Sequence, residues 1–458
     1  MDEIAEYALK LAETAGDYAE VYLEHSVSYS FAIEQGLVNG GGFSDEVGLR
    51  VRFLKKGSMY TVSTNKLSKS VIADLIKGAK PLGASTVLSP EKREKANYKE
   101  RERKPVSSES MLDTLLSIDK SLKDNKKVKF RSVYGGFGRD VTYFKNSEGS
   151  EIRSSLPITN TFISLIIGER GETRQRFLQF GGTGGYEVLD EGSIVRKLES
   201  EIKGISNVIS KGISLSSSDL KKIKNIVISS EISGIAVHES IGHPNEADRV
   251  FGRESAQAGE SYVTGDNLGM RIGSEAVTII DDPTIKNSYG FFLYDDEAVK
   301  ARPKIIVENG VQKELLLNRE YAGMLGIKSN GSARSSSYAN EPLVRMSNTY
   351  LKGGNATFDD LLKEARNGIY VKSFTEWNID DTRSFARYRG NEAYLIKNGS
   401  IEEPVKNYVI ETTTQRFWSS VTLVDKNVKY YLGECGKGEP MQGLPVTMGG
   451  GDALLEFD

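Results

Sequence analysis

The sequence predicts an α+β fold whose N-terminal part mixes short helices with antiparallel strands and whose C-terminal part is rich in β-strands. Three observations support this prediction. The 458 residues exceed what one ordinary hydrophobic core accommodates, so two or three domains are expected. Helical and strand periodicities alternate before residue 216. Strand patterns dominate after residue 243.

The composition is that of a globular protein and argues against several functional classes. Apolar residues make up 38% and charged residues 27% of the chain, and the net charge is −3. This balance gives no reason to propose nucleic acid or an anionic membrane as a partner. The acidic start, residues 1–4, has no signal-peptide pattern, and no run approaches the ~18 apolar residues of a membrane helix. A single cysteine, Cys435, is typical of a reducing compartment, so we expect a cytoplasmic protein.

The chain divides into four segments. We expect an N-terminal α/β domain with a first block at 1–88 and a second, central block at 108–215, followed by a β-rich C-terminal domain at 216–458. Segment 89–107 has mixed charges without periodicity, which predicts a solvated linker. Apolar residues at helical spacing predict helices at 2–15, 68–80, 108–122, 192–210 and 234–242.

Alternating apolar and polar residues predict the strands. In the N-terminal domain they cover 18–24, 30–34, 47–53, 59–63, 127–134, 140–145, 159–168 and 173–180. In the C-terminal domain they cover 225–229, 344–350, 369–377 and 421–432. Two further hairpins turn at Asn309-Gly310 and Asn398-Gly399, because Asn-Gly favours the tight hairpin turn. The glycine-rich end, 433–451, is predicted to be a loop.

Two of the three histidines of the chain lie in one short motif, His238-Glu239-Ser-Ile-Gly-His243. Imidazole nitrogens suit zinc, and a carboxylate beside the ion can take a proton from metal-bound water. The familiar pattern H-E-x-x-H places both histidines on one helix face. Here one more residue separates them, and without further support two incidental histidines at a helix end would be the simpler interpretation. The third histidine, His25, lies in a strand pattern and is predicted to be structural.

The extra residue constrains the local backbone. At about 100° per residue, positions i and i+5 of a regular α-helix point roughly 140° apart, so they cannot share one ion. The site therefore requires a local i→i+5 widening or a helix that breaks at its end. Gly242 offers backbone latitude, and Pro244 biases His243 away from α geometry.

Hydrolytic zinc sites usually keep three protein ligands and leave a fourth position for water. His238 and His243 supply two, and Cys435 is a candidate third ligand because a thiolate binds zinc well. The alternative interpretation is a small buried apolar side chain, which is the usual role of a free cysteine. Its glycine neighbours are unlike those of a core strand, which favours the ligand.

Several segments together resemble the TldD/PmbA family of metalloproteases, and its TldD branch in particular. The H-E-x-x-x-H motif at 238–243 and the block Gly433-Glu-Cys435-Gly-Lys-Gly438 followed by Gln442-Gly-Leu-Pro445 carry the resemblance. Segments 17–21, 146–149 and 345–350 are also similar to family blocks. The PmbA (TldE) branch lacks the metal motif, so its presence here indicates the TldD side.

This resemblance implies a zinc-dependent peptidase with Zn²⁺ on His238, His243 and Cys435 and with Glu239 as the general base. It implies a strongly curved antiparallel sheet in the C-terminal part, and a homodimer or a heterodimer with a PmbA/TldE-like subunit that encloses the site. It also implies that unfolded or short peptides bind as an added β-strand. We expect the strand at 344–350 to be the open edge.

The family block at 345–350 also supplies the expected peptide contacts. Arg345, Asn348 and Tyr350 are the substrate-binding candidates. Two other functions compete with this interpretation. One is a non-catalytic, gyrase-modulator-like peptide-binding subunit with a structural metal, which a fully protein-ligated ion would favour. The other is a Ser-His-Asp hydrolase, which has little support because no G-x-S-x-G segment occurs and only His25 would be free as the base.

Overall fold

The computed structural model describes residues 2–82, 85–253, 259–265 and 268–457, and its mixture of helices and sheets confirms the α+β class. The predicted helices 2–15 and 108–122 are present with the same bounds. In the described residues the α-helices are α1 Asp2–Ala15, α2 Lys69–Gly78, α3 Ser108–Leu122, α4 Glu191–Lys211, α5 Ser217–Leu220, α6 Ser230–Val237, α7 Ala247–Val250, α8 Arg319–Met324, α9 Phe358–Ala365 and α10 Thr414–Ser419. No helix of this described part is long and apolar enough to span a membrane.

One large sheet joins both N-terminal blocks. Its strands are β1 Tyr18–Glu34, β2 Leu37–Lys55, β3 Ser58–Thr64, β4 Pro81–Leu82, β5 Lys95–Lys99, β6 Val128–Asn146, β7 Glu151–Glu169 and β8 Glu172–Thr183. The order is β4-β3-β2-β1-β6-β7-β5, and β8 also pairs with β7. The pairs of short strands predicted at 18–24 and 30–34 and at 127–134 and 140–145 are single long strands, because β1 and β6 pair with each other almost along their whole length. Helices α3 and α4 cover one apolar face of this sheet.

The charged segment 89–107 is not wholly a linker. Residues 95–99 form β5, which pairs in parallel with residues 151–155 of β7. In this strand the lysines are exposed, whereas Ala96 and Tyr98 alternate with them and pack against buried residues of the sheet. The prediction of a solvated linker is therefore wrong for these five residues, because charge composition concealed a short alternation. The four-segment division of the chain otherwise stays a prediction.

The C-terminal part contains most of the remaining strands in two sheets. The strands are β9 Asn225–Ile228, β10 Ile279–Asp281, β11 Lys304–Glu308, β12 Val311–Gln312, β13 Ala333–Arg334, β14 Leu343–Val344, β15 Asn348–Leu351, β16 Gly368–Ile379, β17 Phe385–Lys397, β18 Ser400–Val405, β19 Val409–Thr413, β20 Val421–Val424, β21 Lys429–Lys437, β22 Gln442–Gly450 and β23 Ala453–Glu456. One sheet has the order β12-β11-β10-β15-β22-β21, and the other β18-β17-β16-β9-β23-β20 with β19 beside β17. Both Asn-Gly hairpins are confirmed.

Helix α6 contacts strands of both C-terminal sheets, which explains why it is buried on nearly all sides. The helix approaches β22 closely through small residues. A Cβ on Gly234 would lie 3.0 Å from the backbone nitrogen of Gly449, and a Cβ on Gly450 would lie 2.6 Å from the Ser233 hydroxyl oxygen. The predicted glycine-rich loop at 433–451 is therefore wrong: most of it is the β21–β22 hairpin, in which Gly449 and Gly450 pack closely against α6.

The strand expected to be an open edge is internal. Strand β15 pairs with β10 on one side and with β22 on the other, so its backbone groups are already hydrogen bonded. The prediction of an edge at 344–350 is wrong, because an alternating pattern does not reveal how many neighbours a strand has. In the described residues the last strand of this sheet is β21, and β8 has a paired neighbour only in β7.

Candidate metal centre

The helix that carries the motif widens where the extra residue requires it. Residues His238–Gly242 form a π-helical turn that continues α6, and the backbone N–H of His243 donates to the carbonyl oxygen of His238. A 3₁₀ turn, His243–Asn245, ends the segment. The expected i→i+5 widening is confirmed, and it brings the two imidazole centroids to 4.8 Å.

The glycine and the proline contribute differently from what their sequence positions suggest. His243 keeps α-helical angles, with φ −56° and ψ −45°, so the expected bias from Pro244 is wrong. Gly242 also has helical angles, with φ −60° and ψ −64°. Its missing side chain matters for space, because a Cβ there would lie 1.9 Å from the sulfur of Met346. The hydrogen-bond pattern of the turn, not an unusual backbone angle, therefore brings the histidines together.

Three side chains meet at this turn. His238, His243 and Cys435 offer ligand atoms that all lie within 4.8 Å of one another, and all three residues are buried. The sulfur of Cys435, on β21, lies 3.4 Å from Nε2 of His243. In a tetrahedral zinc site, bonds of ~2.3 Å to sulfur and ~2.05 Å to nitrogen place these two atoms about 3.6 Å apart. The spacing of this pair therefore fits zinc, whereas the 4.8 Å spread of all three ligand atoms is wider than a tetrahedral ion needs, so binding would draw the third ligand inward.

The donor set also fits a cation chemically. Nδ1 of His238 is buried and has no hydrogen-bond partner among the described residues. Burial opposes the thiolate, but the neighbouring His243 and His238 hold the pKa of Cys435 well below its usual value. Burial likewise opposes the charged imidazole, yet Cys435 and Glu246 raise the pKa of His243 to about 9. Two nitrogen donors and one thiolate form a donor set that zinc prefers.

Charged residues behind His243 hold its orientation. Nδ1 of His243 lies 2.9 Å from a carboxylate oxygen of Glu246, which leaves Nε2 to face the cluster. The ammonium of Lys437 lies 3.1 Å from Glu246 and 2.6 Å from Asp248. Burial raises the pKa of Glu246, but Lys437 and His243 outweigh it and hold that pKa well below the usual range. A carboxylate behind a ligating histidine is a common means of fixing the imidazole tautomer.

Glu239 lies beside the cluster and is held by two residues of the β16–β17 hairpin. The indole Nε1 of Trp377 donates to one carboxylate oxygen at 3.2 Å, and the guanidinium of Arg383 pairs with the other. Burial opposes ionisation, but His243, His238 and Arg383 lower the pKa of Glu239 below its ordinary value. The carboxylate is therefore fixed, charged and close to the ligand cluster without belonging to it.

The predicted substrate residues have other contacts in this structure. Arg345 is buried and donates to the carbonyl oxygens of Gln442 and Cys435, so it joins the two strands of the cysteine hairpin. Asn348 is buried, and its amide oxygen accepts from the N–H of Gly290 while its amide nitrogen donates to Asp282. Only Tyr350 is part-exposed, with its ring 5.6 Å from that of Tyr430.

The remaining histidine is away from the cluster. Nε2 of His25, on β1, lies 2.8 Å from a carboxylate oxygen of Asp45 on the neighbouring strand β2. It is not among the residues whose ligand atoms gather near Cys435. This cross-strand contact agrees with the structural role expected for it.

Sequence reasoning missed four residues around the site. Two had a local signal: Glu246 is three positions after His243, and Lys437 is two positions after Cys435, the spacing of one strand face. Trp377 and Arg383 had none, because they lie more than 130 positions after Glu239 and reach it only through the fold.

Comparison with family models matches three consecutive domains of one family. Residues 19–80 match the model described as PmbA/TldA metallopeptidase domain 1, residues 101–205 match its central domain, and residues 221–456 match its C-terminal domain. The last match contains the motif at 238–243 and Cys435, and it covers more than half of the chain.

Relatives and solved structures agree with these matches. A metalloprotease of Methanocaldococcus jannaschii is 30% identical over 96% of both chains. A protein of Saccharolobus solfataricus named zinc metalloprotease TldD homolog is 32% identical over 49% of this chain and 48% of its own length. Among structures, a candidate modulator of a DNA gyrase from Thermotoga maritima has a TM-score of 0.79 at 18% identity, covering 99% and 98% of the two chains. TldE from Thermococcus kodakarensis has a TM-score of 0.75 at 15% identity, covering 99% and 100%.

Proposed function

Because this chain belongs to the PmbA/TldD metallopeptidase family, as its sequence resemblance predicted, we propose that it is a zinc-dependent peptidase of the H-E-x-x-x-H type. One observation carries the proposal. The π-helical turn and the β21–β22 hairpin gather two imidazoles and a thiol in one buried cluster, with a fixed carboxylate beside it. This combination is what metal-assisted hydrolysis of an amide requires.

His238, His243 and Cys435 would hold the ion. Zinc supplies Lewis acidity there, which polarises a peptide carbonyl and acidifies water. Glu239 would accept the proton of the attacking water and pass it to the leaving amine. Trp377 and Arg383 support this role because they hold both carboxylate oxygens in place. Glu246 would keep the proton of His243 on Nδ1, so that Nε2 remains a donor.

Substrates of this proposed enzyme are unfolded or short peptides bound as an added β-strand. The internal strand β15 cannot receive them, so we assign the receiving edge to β21, which pairs only with β22 in the described residues. Backbone hydrogen bonds to such an edge give affinity with little dependence on sequence. Cys435 lies on β21, so the added strand would pass close to the ligand cluster.

The assembly is proposed to be a homodimer or a heterodimer with a PmbA/TldE-like subunit. The likeness of the fold to TldE from Thermococcus kodakarensis supports such a pairing. Light scattering during micromolar dilution, with peptide cleavage assayed in parallel, tests it. An active species with the mass of one 50.4 kDa chain would contradict the proposed assembly.

A decisive experiment combines metal analysis with peptide cleavage. The purified chain should contain about one zinc per active site and should cut an unstructured fluorogenic peptide. Glu239→Ala should keep the zinc and lower kcat by about 10²- to 10⁴-fold. Full activity in this variant, or loss of its zinc, contradicts the assigned role.

The same experiment distinguishes the proposed peptidase from the alternative function. The alternative is a non-catalytic, peptide-binding subunit, and the likeness in fold to the gyrase-modulator candidate of Thermotoga maritima supports it. A zinc-loaded chain that binds the peptide but never cleaves it would favour this alternative. A second assay tests whether the active site is enclosed, by comparing the degradation rate of a folded protein with that of the same protein unfolded. Equal rates would exclude a requirement for an extended substrate.

A further inference from the structure

A cavity of about 650 Å³ lies where the N-terminal sheet meets the C-terminal part. Strand β8 and helix α4 line it from one side, and α6, β16 and β21 line it from the other. Its volume lies within the range of about 300 to 1,000 Å³ that is usual for small-ligand pockets. None of the residues given a role in metal binding lines it.

The cavity nevertheless leads to the candidate general base. Glu231 and Ile235 of α6 line it, and Glu239 follows at the same spacing of four residues, which keeps all three near one helix face. Trp377 connects the two places directly. Its ring lines the cavity, and its indole N–H donates to Glu239. A group in the cavity would therefore lie one side chain away from the carboxylate.

The walls present exposed aromatic rings. Phe177 of β8, Trp377 of β16 and Tyr430 of β21 line the cavity and are 50%, 42% and 43% exposed. Two of these rings are held edge-on by neighbours: Phe374 lies 5.4 Å from Trp377, and Tyr350 lies 5.6 Å from Tyr430. Aromatic side chains that converge on a concave surface from three separate strands are typical of a ligand pocket.

Charged residues at the cavity already have partners. Glu231 accepts two hydrogen bonds from Arg176 at 2.7 Å, and Lys197 pairs with Glu201 at 2.6 Å. Asp190 accepts from the N–H and the hydroxyl of Ser193 at the start of α4. None of these three charges is therefore available to a charged ligand without a change in an existing contact. The lining consequently favours an uncharged, apolar group.

We propose that this cavity is a specificity pocket for a large apolar or aromatic side chain of the peptide substrate, close to the bond that is cleaved. The inference rests on the proposed peptidase function and adds a side-chain preference to it. Strand addition on β21 supplies affinity without sequence preference, whereas Phe177, Trp377 and Tyr430 would select one residue of the bound peptide. Tyr430 belongs to β21 itself, so the receiving edge and the pocket adjoin.

The preference is measured with one peptide series. Otherwise identical fluorogenic peptides carry Phe, Leu, Ala or Asp at each position beside the cleaved bond in turn. At one position kcat/KM should be about ten- to a hundredfold higher for Phe than for Ala, the ratio expected from burying an aromatic side chain. Asp at that position should be cut more slowly than Ala. Equal rates for all four peptides at every position would overturn the pocket while leaving the peptidase function intact.

Two variants separate the pocket from the carboxylate beside it. Phe177→Ala should reduce the Phe-to-Ala preference by about tenfold through KM, because this ring lines the cavity whereas the side chains that hold Glu239 are Trp377 and Arg383. Trp377→Phe keeps an aromatic wall but removes the N–H, so it should lower kcat and retain the preference. Phe43→Ala is the matched control, since Phe43 is 71% exposed on β2 and does not line the cavity. A preference that survives Phe177→Ala unchanged contradicts the assignment.

Binding can be followed without catalysis. The chain has two tryptophans, and Trp418 is fully buried, so ligand-dependent changes in indole emission report on Trp377. N-acetylphenylalaninamide should shift and quench this emission and should shield it from acrylamide, whereas N-acetylalaninamide should not. The response should disappear in Trp377→Phe. This arm remains informative even if no peptide is cleaved, so failure of the pocket and failure of the peptidase function can be distinguished.

A competing occupant would give a different result. If a second copy of the chain covers the cavity, acrylamide quenching of Trp377 falls as protein concentration rises and does not respond to the phenylalanine probe. That outcome, or an equal response to both probes, overturns the proposal.

Discussion

Two clusters of ionisable side chains differ in how their charges are compensated. Around the candidate metal site each carboxylate has a cationic neighbour: Glu246 faces His243 and Lys437, and Glu239 faces Arg383. At a smaller cavity of about 190 Å³, four carboxylates, those of Glu24, Asp140, Asp295 and Asp296, line the cavity together with one guanidinium, that of Arg334.

The second cluster arises from strand register. Glu24 of β1 is opposite Thr142 of β6, so Asp140, two positions away, projects from the same sheet face. Burial and then the charge of Asp140 raise the pKa of Glu24 to about 7, although the N–H of Tyr338 donates to it. Burial also raises the pKa of Asp140.

The contrast shows that burial alone does not decide the charge of a carboxyl group. Burial raises the pKa of a carboxyl group in both clusters, but nearby cations outweigh it at Glu246, whereas the charge of Asp140 adds to it at Glu24. Removing one charged side chain should therefore have opposite consequences in the two clusters. It should impair zinc binding or catalysis at the metal site, and it should stabilise the fold at the cluster around Glu24. The following predictions test that contrast.

Loss of the thiol should have the largest effect. Cys435→Ala should weaken zinc binding by orders of magnitude and abolish cleavage, because it removes one of three protein ligands and leaves two imidazoles. Zinc content after dialysis and circular dichroism measure the metal and the fold. Glu239→Ala, which should retain zinc, is the matched variant, and unchanged zinc in Cys435→Ala would exclude the thiol as a ligand.

Loss of the Arg383 guanidinium, which faces Glu239, should have the second-largest effect. Arg383→Ala should lower kcat by about ten- to a hundredfold at unchanged zinc content, since a charge-assisted hydrogen bond to the carboxylate is lost. Arg383→Lys should restore part of the rate because it keeps the charge. If both variants behave identically, the charge of Arg383 does not support Glu239.

Neutralising the carboxylate behind His243 should have a smaller effect. Glu246→Gln can still accept from Nδ1 but no longer balances Lys437, so zinc affinity should fall about tenfold. Competition with a chromogenic chelator gives the affinity. Glu199→Gln, on the exposed side of α4, is the control and should not change it.

Neutralising Glu24 should have the smallest effect and the opposite sign. The pKa of about 7 in the folded chain lies above the ordinary glutamate value of 4.5, so ionisation of Glu24 reduces stability fully above pH 7 and not at all below pH 4.5. Glu24→Gln should therefore stabilise the chain by about 1 to 2 kcal/mol at pH 8. Thermal unfolding should show a higher Tm at pH 8 and a smaller gain at pH 5, and a loss of stability at pH 8 would contradict the contrast.

Local patterns were sufficient for much of the fold and for the core of the site. Helices α1 and α3 and both Asn-Gly hairpins follow from residues close in sequence. The spacing of His238 and His243 required a widened turn for the two to share an ion, and the hydrogen bond between their backbones provides it. These features depend on interactions over a few residues, which sequence periodicity records directly.

Other features depended on partners far along the chain. Neither the edge position of β21 nor the internal position of β15 can be read from alternation, because strand neighbours are chosen during tertiary packing. The hairpin of Cys435 resembled a loop because it is rich in glycine, but Gly449 and Gly450 contact α6 and only Gly438, with φ +84°, lies in the turn between β21 and β22.

The sequence by itself therefore determined which residue types were available for metal chemistry, two imidazoles and a nearby carboxylate on one helical segment. Tertiary structure decided what surrounds them: Arg383 and Trp377 reach Glu239 from a hairpin about 140 positions away, and Lys437 arrives on another strand. The physical reason is that electrostatic contacts depend on distances in space, and chain separation carries no information about them until the sheets have packed.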